Sequence, residues 1–216
     1  MAGFFLTFEG VEGGGKTTQV TLLAEALRAQ GRDVLITREP GGTAVGQVLR
    51  RILLEPSATP LSSEAELLLM LADRAQHVHE VILPGLRANK VVISDRFLDS
   101  TIAYQGHGRG IRLDLLTTLN AFACGACIPA LTLILDVPVT AGLQRANKRR
   151  GIVEKTDTFE AEAVDFHERV RAGFLAVANA QPERVCLINA DRSVEVIHQE
   201  ILAIVQERMA GIRRKE

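Results

Sequence analysis

The chain has no tryptophan, a single tyrosine and aromatic residues at only 4% of its 216 positions, so its core has to be built mainly from aliphatic side chains. It has almost no net charge either, with 25 lysines and arginines against 26 aspartates and glutamates. That balance supplies no basic field for a general nucleic-acid partner. Three cysteines are too few, and odd in number, for a disulfide framework. Cys124 and Cys127 have C-x-x-C spacing, but no second such pair and no nearby histidine pair completes a zinc site. They are read as buried, reduced thiols in a helical stretch from Leu115 to Ile128, ahead of a zinc or redox role. No apolar run is long enough to span a bilayer, and no basic N-terminal region precedes a long hydrophobic segment. Membrane insertion and secretion are therefore not expected, and the protein is placed in the cytoplasm.

What is present is a chain 47% apolar, long enough to bury a substantial core, and read as one α/β domain over residues 1–216. Strand composition occurs at Gly3 to Thr7, Val34 to Thr37, Val91 to Ser94, Leu131 to Asp136 and Val185 to Asn189. Several of these are continuous apolar runs, which suit a parallel sheet covered on both faces. Helical spacing falls between them, at Lys16 to Ala29, Ala44 to Leu54, Ser63 to Leu83, Leu113 to Ala123, Val139 to Arg149, Glu160 to Ala180 and Ser193 to Met209. This alternation predicts a doubly wound, five-stranded parallel sheet flanked by helices, and the glycine pattern at residues 10 to 17 makes it the P-loop NTPase type of α/β fold. The polar stretch Ala146 to Thr158 is the candidate mobile segment, and Arg213 to Glu216 are expected to fray.

Residues 10 to 17, Gly-Val-Glu-Gly-Gly-Gly-Lys-Thr, match the phosphate-cradling pattern G-x-x-x-x-G-K-[ST] between the first strand and the first helix. Glycines 10, 13, 14 and 15 let the chain turn tightly and bring N–H groups against phosphate oxygens, and the helix beginning near Lys16 adds its positive end. Lys16 would bridge the β- and γ-phosphates of a nucleoside triphosphate, and Thr17 would offer a hydroxyl to Mg²⁺. The loop as a whole, Gly10, Val11, Glu12, Gly13, Gly14, Gly15, Lys16, Thr17 and Thr18, is the candidate ATP site. Glu9 is a candidate for holding a metal-bound water.

In an open parallel sheet, ligands collect beyond the carboxyl ends of the strands. There the sequence places Arg38-Glu39-Pro40-Gly41-Gly42-Thr43, Asp95-Arg96-Phe97 and Asp136-Val137-Pro138. Asp95 can organise Mg²⁺ or its water, and Arg96 can meet phosphate with a planar fork of donors. A guanine-reading N-K-x-D element is absent, since Arg149 and Arg150 follow Asn147-Lys148. Arginines 38, 74 and 96 exceed what one triphosphate in a lysine-bearing loop requires and suit a phosphomonoester as second substrate.

Taken together, Gly10 to Thr18, Thr37 to Thr43, Asp95-Arg96-Phe97 and Ala103-Tyr104-Gln105-Gly106 resemble bacterial thymidylate kinases over nearly the whole chain. The resemblance implies transfer of the ATP γ-phosphoryl group to dTMP, with Mg²⁺, in a homodimer. It implies that Glu12 contacts the 3′-hydroxyl region of the acceptor, and that Arg38 and Arg96 hold the acceptor phosphate. Arg74 would reach the thymine carbonyl, Thr101 and Gln105 would contact the base, and Tyr104 would crowd the sugar 2′ position. Pro40 and Met70 complete the acceptor side, and Met70, or Leu71 after it, would pack on the base where relatives commonly stack a phenylalanine. A basic lid at 144–158 would supply a catalytic arginine, Arg149 or Arg150, because Gly13 occupies the loop position where other members carry one. Alternatives are another P-loop nucleoside monophosphate or deoxynucleoside kinase, and a nucleotide-binding regulatory module.

Overall fold

The computed structural model describes residues 3–150 and 162–213. Five parallel strands form one sheet: β1 (Phe4–Glu9), β2 (Val34–Arg38), β3 (Val91–Asp95), β4 (Leu131–Asp136) and β5 (Val185–Asn189), in the order β2-β3-β1-β4-β5. Every residue of the central strand β1 is buried. Its alternation sorts two environments. Phe4, Leu6 and Phe8 join the main core, which includes Leu23 and Leu27 of α1 (Lys16–Ala29) and Ile201 and Val205 of α9 (Val194–Arg213). Phe5 packs edge-on against Phe97, ring centroids 5.0 Å apart, in a second cluster with Val78, Ile82 and Val92.

The remaining helices are α2 (Ala44–Leu54), α3 (Ser63–His77), α4 (Leu83–Arg87), α5 (Leu98–Thr101), α6 (Leu113–Cys124), α7 (Val139–Arg150) and α8 (Val164–Ala180). From β1 the chain moves to β2 and β3 on one side and then crosses to β4 and β5 on the other, so strand order reverses at β1. The crevice this opens lies at the carboxyl ends of β1, β3 and β4, next to the glycine loop.

Predicted and observed elements differ where a local rule met a packing demand. The helical spacing over Ser63 to Leu83 predicts one helix that ends at Leu83. Instead the chain passes through a π-helical turn at Val78–Ile82 and continues as α4. Pro84 falls in the first turn of α4, where its missing N–H is tolerated. β1 extends to Glu9, two residues beyond the predicted Thr7, and α9 continues past Met209 to Arg213. α8 begins at Val164, and Glu162 and Ala163 precede it. Residues 98–108, for which no element was expected, form α5 and a second π-helical turn at Ile102–Gly108. The predicted helical stretch to Ile128 ends at Cys124, because Gly125 adopts φ +56°. Cys127 lies in the turn that follows, and both thiols are buried and free, as read from the sequence. Among the described residues no group of three or more His, Cys, Asp or Glu side chains could hold a metal ion. Most of the segment expected to be mobile lies outside the described residues, as do positions 214–216.

A polar seam crosses the interior beside β1. Thr7 Oγ1 pairs with Thr132 Oγ1 at 2.9 Å, Thr132 donates to Asp99 Oδ2 at 3.0 Å, and Arg184 grips both Asp99 oxygens at 2.8 and 2.9 Å. Asp99 is fully buried, so this two-pronged ion pair ties α5 to the β4–β5 edge with each oxygen satisfied. It fixes the helix that carries the acceptor side of the site.

Candidate active site

The glycine loop is shaped by close approach. Gly10, Gly13 and Gly15 adopt φ of +126°, +72° and +85°. A Cβ on Gly10 would overlap the Leu135 carbonyl oxygen, and one on Gly13 the Gly142 carbonyl oxygen. Gly15 sits in the open as the left-handed N-cap of α1. Gly13, read from the sequence as the place of a missing arginine, thus also has a steric reason to be glycine: α7 packs on it. Lys16 closes the loop, its Nζ donating to Gly10 O at 3.0 Å and Val11 O at 2.9 Å. Burial, then the nearby Arg96, lowers its pKa to about 8. Phosphate oxygens in the loop would oppose both effects. Thr17 Oγ1 donates to Asp95 Oδ2 at 3.1 Å, which brings a hydroxyl and a carboxylate, both hard oxygen donors, to one point beside the lysine.

Beyond the loop the same cavity, of ≈ 590 Å³, opens between β2, β3, α3, α5 and the second π-helical turn. Arg96 stands at the passage. Its Nη1 donates to Gly10 O at 3.1 Å and Ser100 Oγ at 3.2 Å, and its Nη2 meets Tyr104 OH at 3.2 Å and Glu12 Oε2 at 3.4 Å. The guanidinium also lies over the Tyr104 ring, 5.1 Å from its centroid. Tyr104 is in turn held edge-on by Phe166 and Phe174. Arg38, exposed at the end of β2, lines the opposite wall.

Arg74 enters from α3 and is only 2% exposed. It gives Nε to Glu39 Oε2 at 2.9 Å, Nη1 to Thr101 at 2.9 Å and Asn120 at 2.5 Å, and Nη2 to Phe97 O at 3.1 Å. Glu39 Oε1 pairs with His77 Nδ1 at 2.9 Å, and His77 Nε2 with Thr37 Oγ1 at 2.6 Å. Four of the five guanidinium N–H groups are therefore committed, and one on Nη2 remains where Arg74 lines the cavity.

The cavity brings together Glu12, Gly13, Gly15, Lys16, Thr17, Thr18, Arg38, Pro40, Met70, Arg74, Asp95, Arg96, Thr101, Tyr104 and Gln105, all named from the sequence. Gly10, Val11 and Gly14 shape the loop from behind without lining it. Glu9, the candidate for a metal-bound water, does not line the cavity. Its carboxylate turns away from the cavity, Oε1 accepting from the N–H groups of Phe97 (2.8 Å) and Ser100 (3.2 Å) and Oε2 from Ser100 Oγ (2.5 Å). It holds the start of α5, because the first N–H groups of a helix lack internal partners. α7 carries the backbone of Arg149 and Arg150, and their side chains, with most of the predicted lid, lie outside the described residues. Sequence reasoning missed Glu39, Arg50, Leu54, Phe97, Ser100 and His167 as wall residues. Of these, only Glu39, Phe97 and Ser100 carried a signal, lying within or beside the motifs that were read.

A lysine-bearing glycine loop that opens through one arginine into a second, arginine-lined chamber defines a P-loop nucleotide kinase. The thymidylate kinase family model matches residues 8–201. The chain is 52% identical to the thymidylate kinase of Desulfovibrio desulfuricans, covering 98% of this chain and 97% of that protein. It is 50% identical to that of Solidesulfovibrio magneticus over 93% of this chain and 98% of the relative. The solved structure of the Ehrlichia chaffeensis thymidylate kinase superposes with a TM-score of 0.78 at 35% identity, covering 95% of this chain and all of the other. The chain belongs to the thymidylate kinase family.

Glu9 gives the site a pH signature. Burial, then the charge of Asp99, raises its pKa from 4.5 to about 7. The folded chain therefore keeps this proton to higher pH than the unfolded chain, and the stability that goes with it is lost as pH rises from 4.5 through about 7. Glu9→Gln, neutral throughout, should gain on the wild type across that window by on the order of 1 to 3 kcal/mol. Urea unfolding of both proteins at acidic and at mildly alkaline pH reads the difference, and a gap that does not change with pH would contradict it.

Proposed function

We propose that the protein transfers the γ-phosphoryl group of ATP to dTMP, giving dTDP and ADP for dTTP synthesis. The observation that carries this reading is Arg96, whose guanidinium touches the glycine loop through Gly10 and the acceptor chamber through Tyr104. In-line transfer needs only the acceptor's own phosphate oxygen as nucleophile. It bonds to the γ-phosphorus as the bridge to the β-phosphate breaks, and the electron pair leaves with ADP. No protein nucleophile is required, so the chain contributes position and positive charge. Lys16 draws on the β- and γ-phosphates, Arg38 and Arg96 on the acceptor phosphate, and Glu12 on the sugar 3′ side. Arg74, Thr101 and Gln105 meet the base, Pro40 and Met70 pack on it, and Tyr104 excludes a 2′-hydroxyl.

Mg²⁺ suits the hard oxygen pair of Thr17 and Asp95, and when bound it would neutralise phosphate charge. Arg149 or Arg150 is the proposed lid arginine, worth about three or more orders of magnitude in rate when correctly placed. Among the described residues no helix is long and apolar enough to cross a membrane, and the proposal extends to action in the cytoplasm without a nucleic-acid partner.

The proposal also includes a homodimer. α2, α3 and α6 pack side by side and leave apolar side chains in solvent: Phe122 at 87% exposure, with Leu68 and Leu115 beside Val45, Val48 and Ile52. Such a layer supports burial against a second copy. Wild type should run at twice the 23.5 kDa chain mass in light scattering and Phe122→Asp at the chain mass; a monomeric wild type would contradict the dimer.

A coupled ADP assay with dTMP, dUMP, AMP, GMP, CMP and thymidine tests the reaction. Turnover should be highest with dTMP, and Lys16→Ala should abolish it while circular dichroism stays unchanged. Preference for another acceptor would favour a different nucleoside or nucleotide kinase. ATP binding without transfer to any acceptor would favour a regulatory module.

A further inference from the structure

Gln105 lies on the second π-helical turn, 2% exposed, at the base end of the acceptor chamber. Its Nε2 donates to Glu66 Oε1 at 2.8 Å. Glu66, in the first turn of α3 and 5% exposed, is itself gripped by Arg109, whose Nη2 reaches Oε2 at 3.0 Å and whose Nε faces both oxygens at 3.3 and 3.4 Å. Arg109 is anchored in turn by Glu162 and by the Phe166 ring, 4.5 Å below its guanidinium. None of Glu66, Arg109 and Glu162 lines the cavity.

The chemistry of this cluster leaves one arrangement. A carboxylate bound to arginine offers only acceptor sites, so an amide beside it has to present nitrogen. The two ends of a glutamine amide are otherwise nearly alike in shape, and the hydrogen-bond network decides between them. With nitrogen turned to Glu66, the end of Gln105 left for the chamber is the carbonyl oxygen.

We infer that Glu66 is a positioning residue for base selectivity: by holding the Gln105 nitrogen it aims an acceptor at the N3–H of a 4-oxo pyrimidine. Thymine has that donor, whereas N3 of cytosine is an acceptor and would meet oxygen with a lone pair. The remaining Arg74 donor, aimed at the 4-oxo group, sharpens the same distinction, since it would oppose a 4-amino group. A polar site of this kind rejects a mismatched partner more strongly than a hydrophobic wall does. This inference rests on dTMP being the acceptor.

The isosteric Glu66→Gln variant tests it. Arg109 has only donors, so the new amide turns its oxygen to Arg109 and its nitrogen toward Gln105. The Gln105 amide must then invert, presenting NH₂ to the base. KM for dTMP should rise about tenfold with kcat little changed, and the preference in kcat/KM for dTMP over dCMP should fall by about tenfold or more, the equivalent of one hydrogen bond. The double variant E66Q/Q105E keeps the total charge of the cluster, returns an acceptor to the chamber and should restore the preference. A merely structural role for Glu66 would give no such rescue. Glu66→Asp keeps the charge for Arg109 but shortens the reach to Gln105. It should lower the preference in the same direction, giving a second reading if E66Q does not fold. With a wild type that turns over dTMP, an unchanged ratio in a folded position-66 variant, or a lost ratio that the double variant does not restore, overturns this inference alone. A wild type that does not accept dTMP overturns the functional proposal beneath it.

Discussion

Arg96 is the joint on which both halves of the site turn. Its backbone holds φ +73°, a conformation that residues with side chains rarely adopt. Two hydrogen bonds hold it there: its N–H donates to Phe8 O at 2.9 Å, and Ser94 Oγ donates to its carbonyl at 2.7 Å. This kink at the end of β3 sends the guanidinium back across the end of β1, to the glycine loop on one side and Tyr104 on the other. Strain of this kind persists where the surroundings over-determine it, and here the surroundings are the sheet itself.

Behind the donors that face the cavity stands a row of buried acids. Glu9 holds the Ser100 hydroxyl that accepts from Arg96. Glu39 holds Arg74, Glu66 holds Gln105, and Asp99 ties their helical support to Arg184. Each acid is paired, as a buried carboxylate must be unless it takes up a proton. The consequence is that the donors reach a ligand already oriented, so less binding free energy is spent on ordering them. Glu9 holds its proton to about pH 7, because burial, and after it the charge of Asp99, disfavours the carboxylate.

Much of this was legible in the sequence, and for identifiable reasons. The five strands are short apolar runs that any parallel sheet would show, and the loop at 10–17 has a spacing set by phosphate geometry. The residues flanking the strand ends were recognisable because topology always delivers those positions to the crevice. The acids behind the donors were not. Glu39 and Glu66 look like ordinary surface residues, one in a motif and one in a helical first turn where acids are common, and only packing shows them enclosed. Glu9 stands beside the loop as its sequence position implies, and alternation along β1 points its side chain toward α5, where packing encloses it. Arg149 and Arg150 remain a proposal from resemblance.

If Arg96 is shared by the two half-sites, weakening it has to be felt in both. The most direct measurement is titration calorimetry of ATP and of dTMP with wild type and Arg96→Lys, a change that keeps the charge but removes the planar fork. Both dissociation constants should rise, each by about tenfold or more. Loss of dTMP binding with ATP binding unchanged would show that Arg96 serves the acceptor alone, and would contradict it.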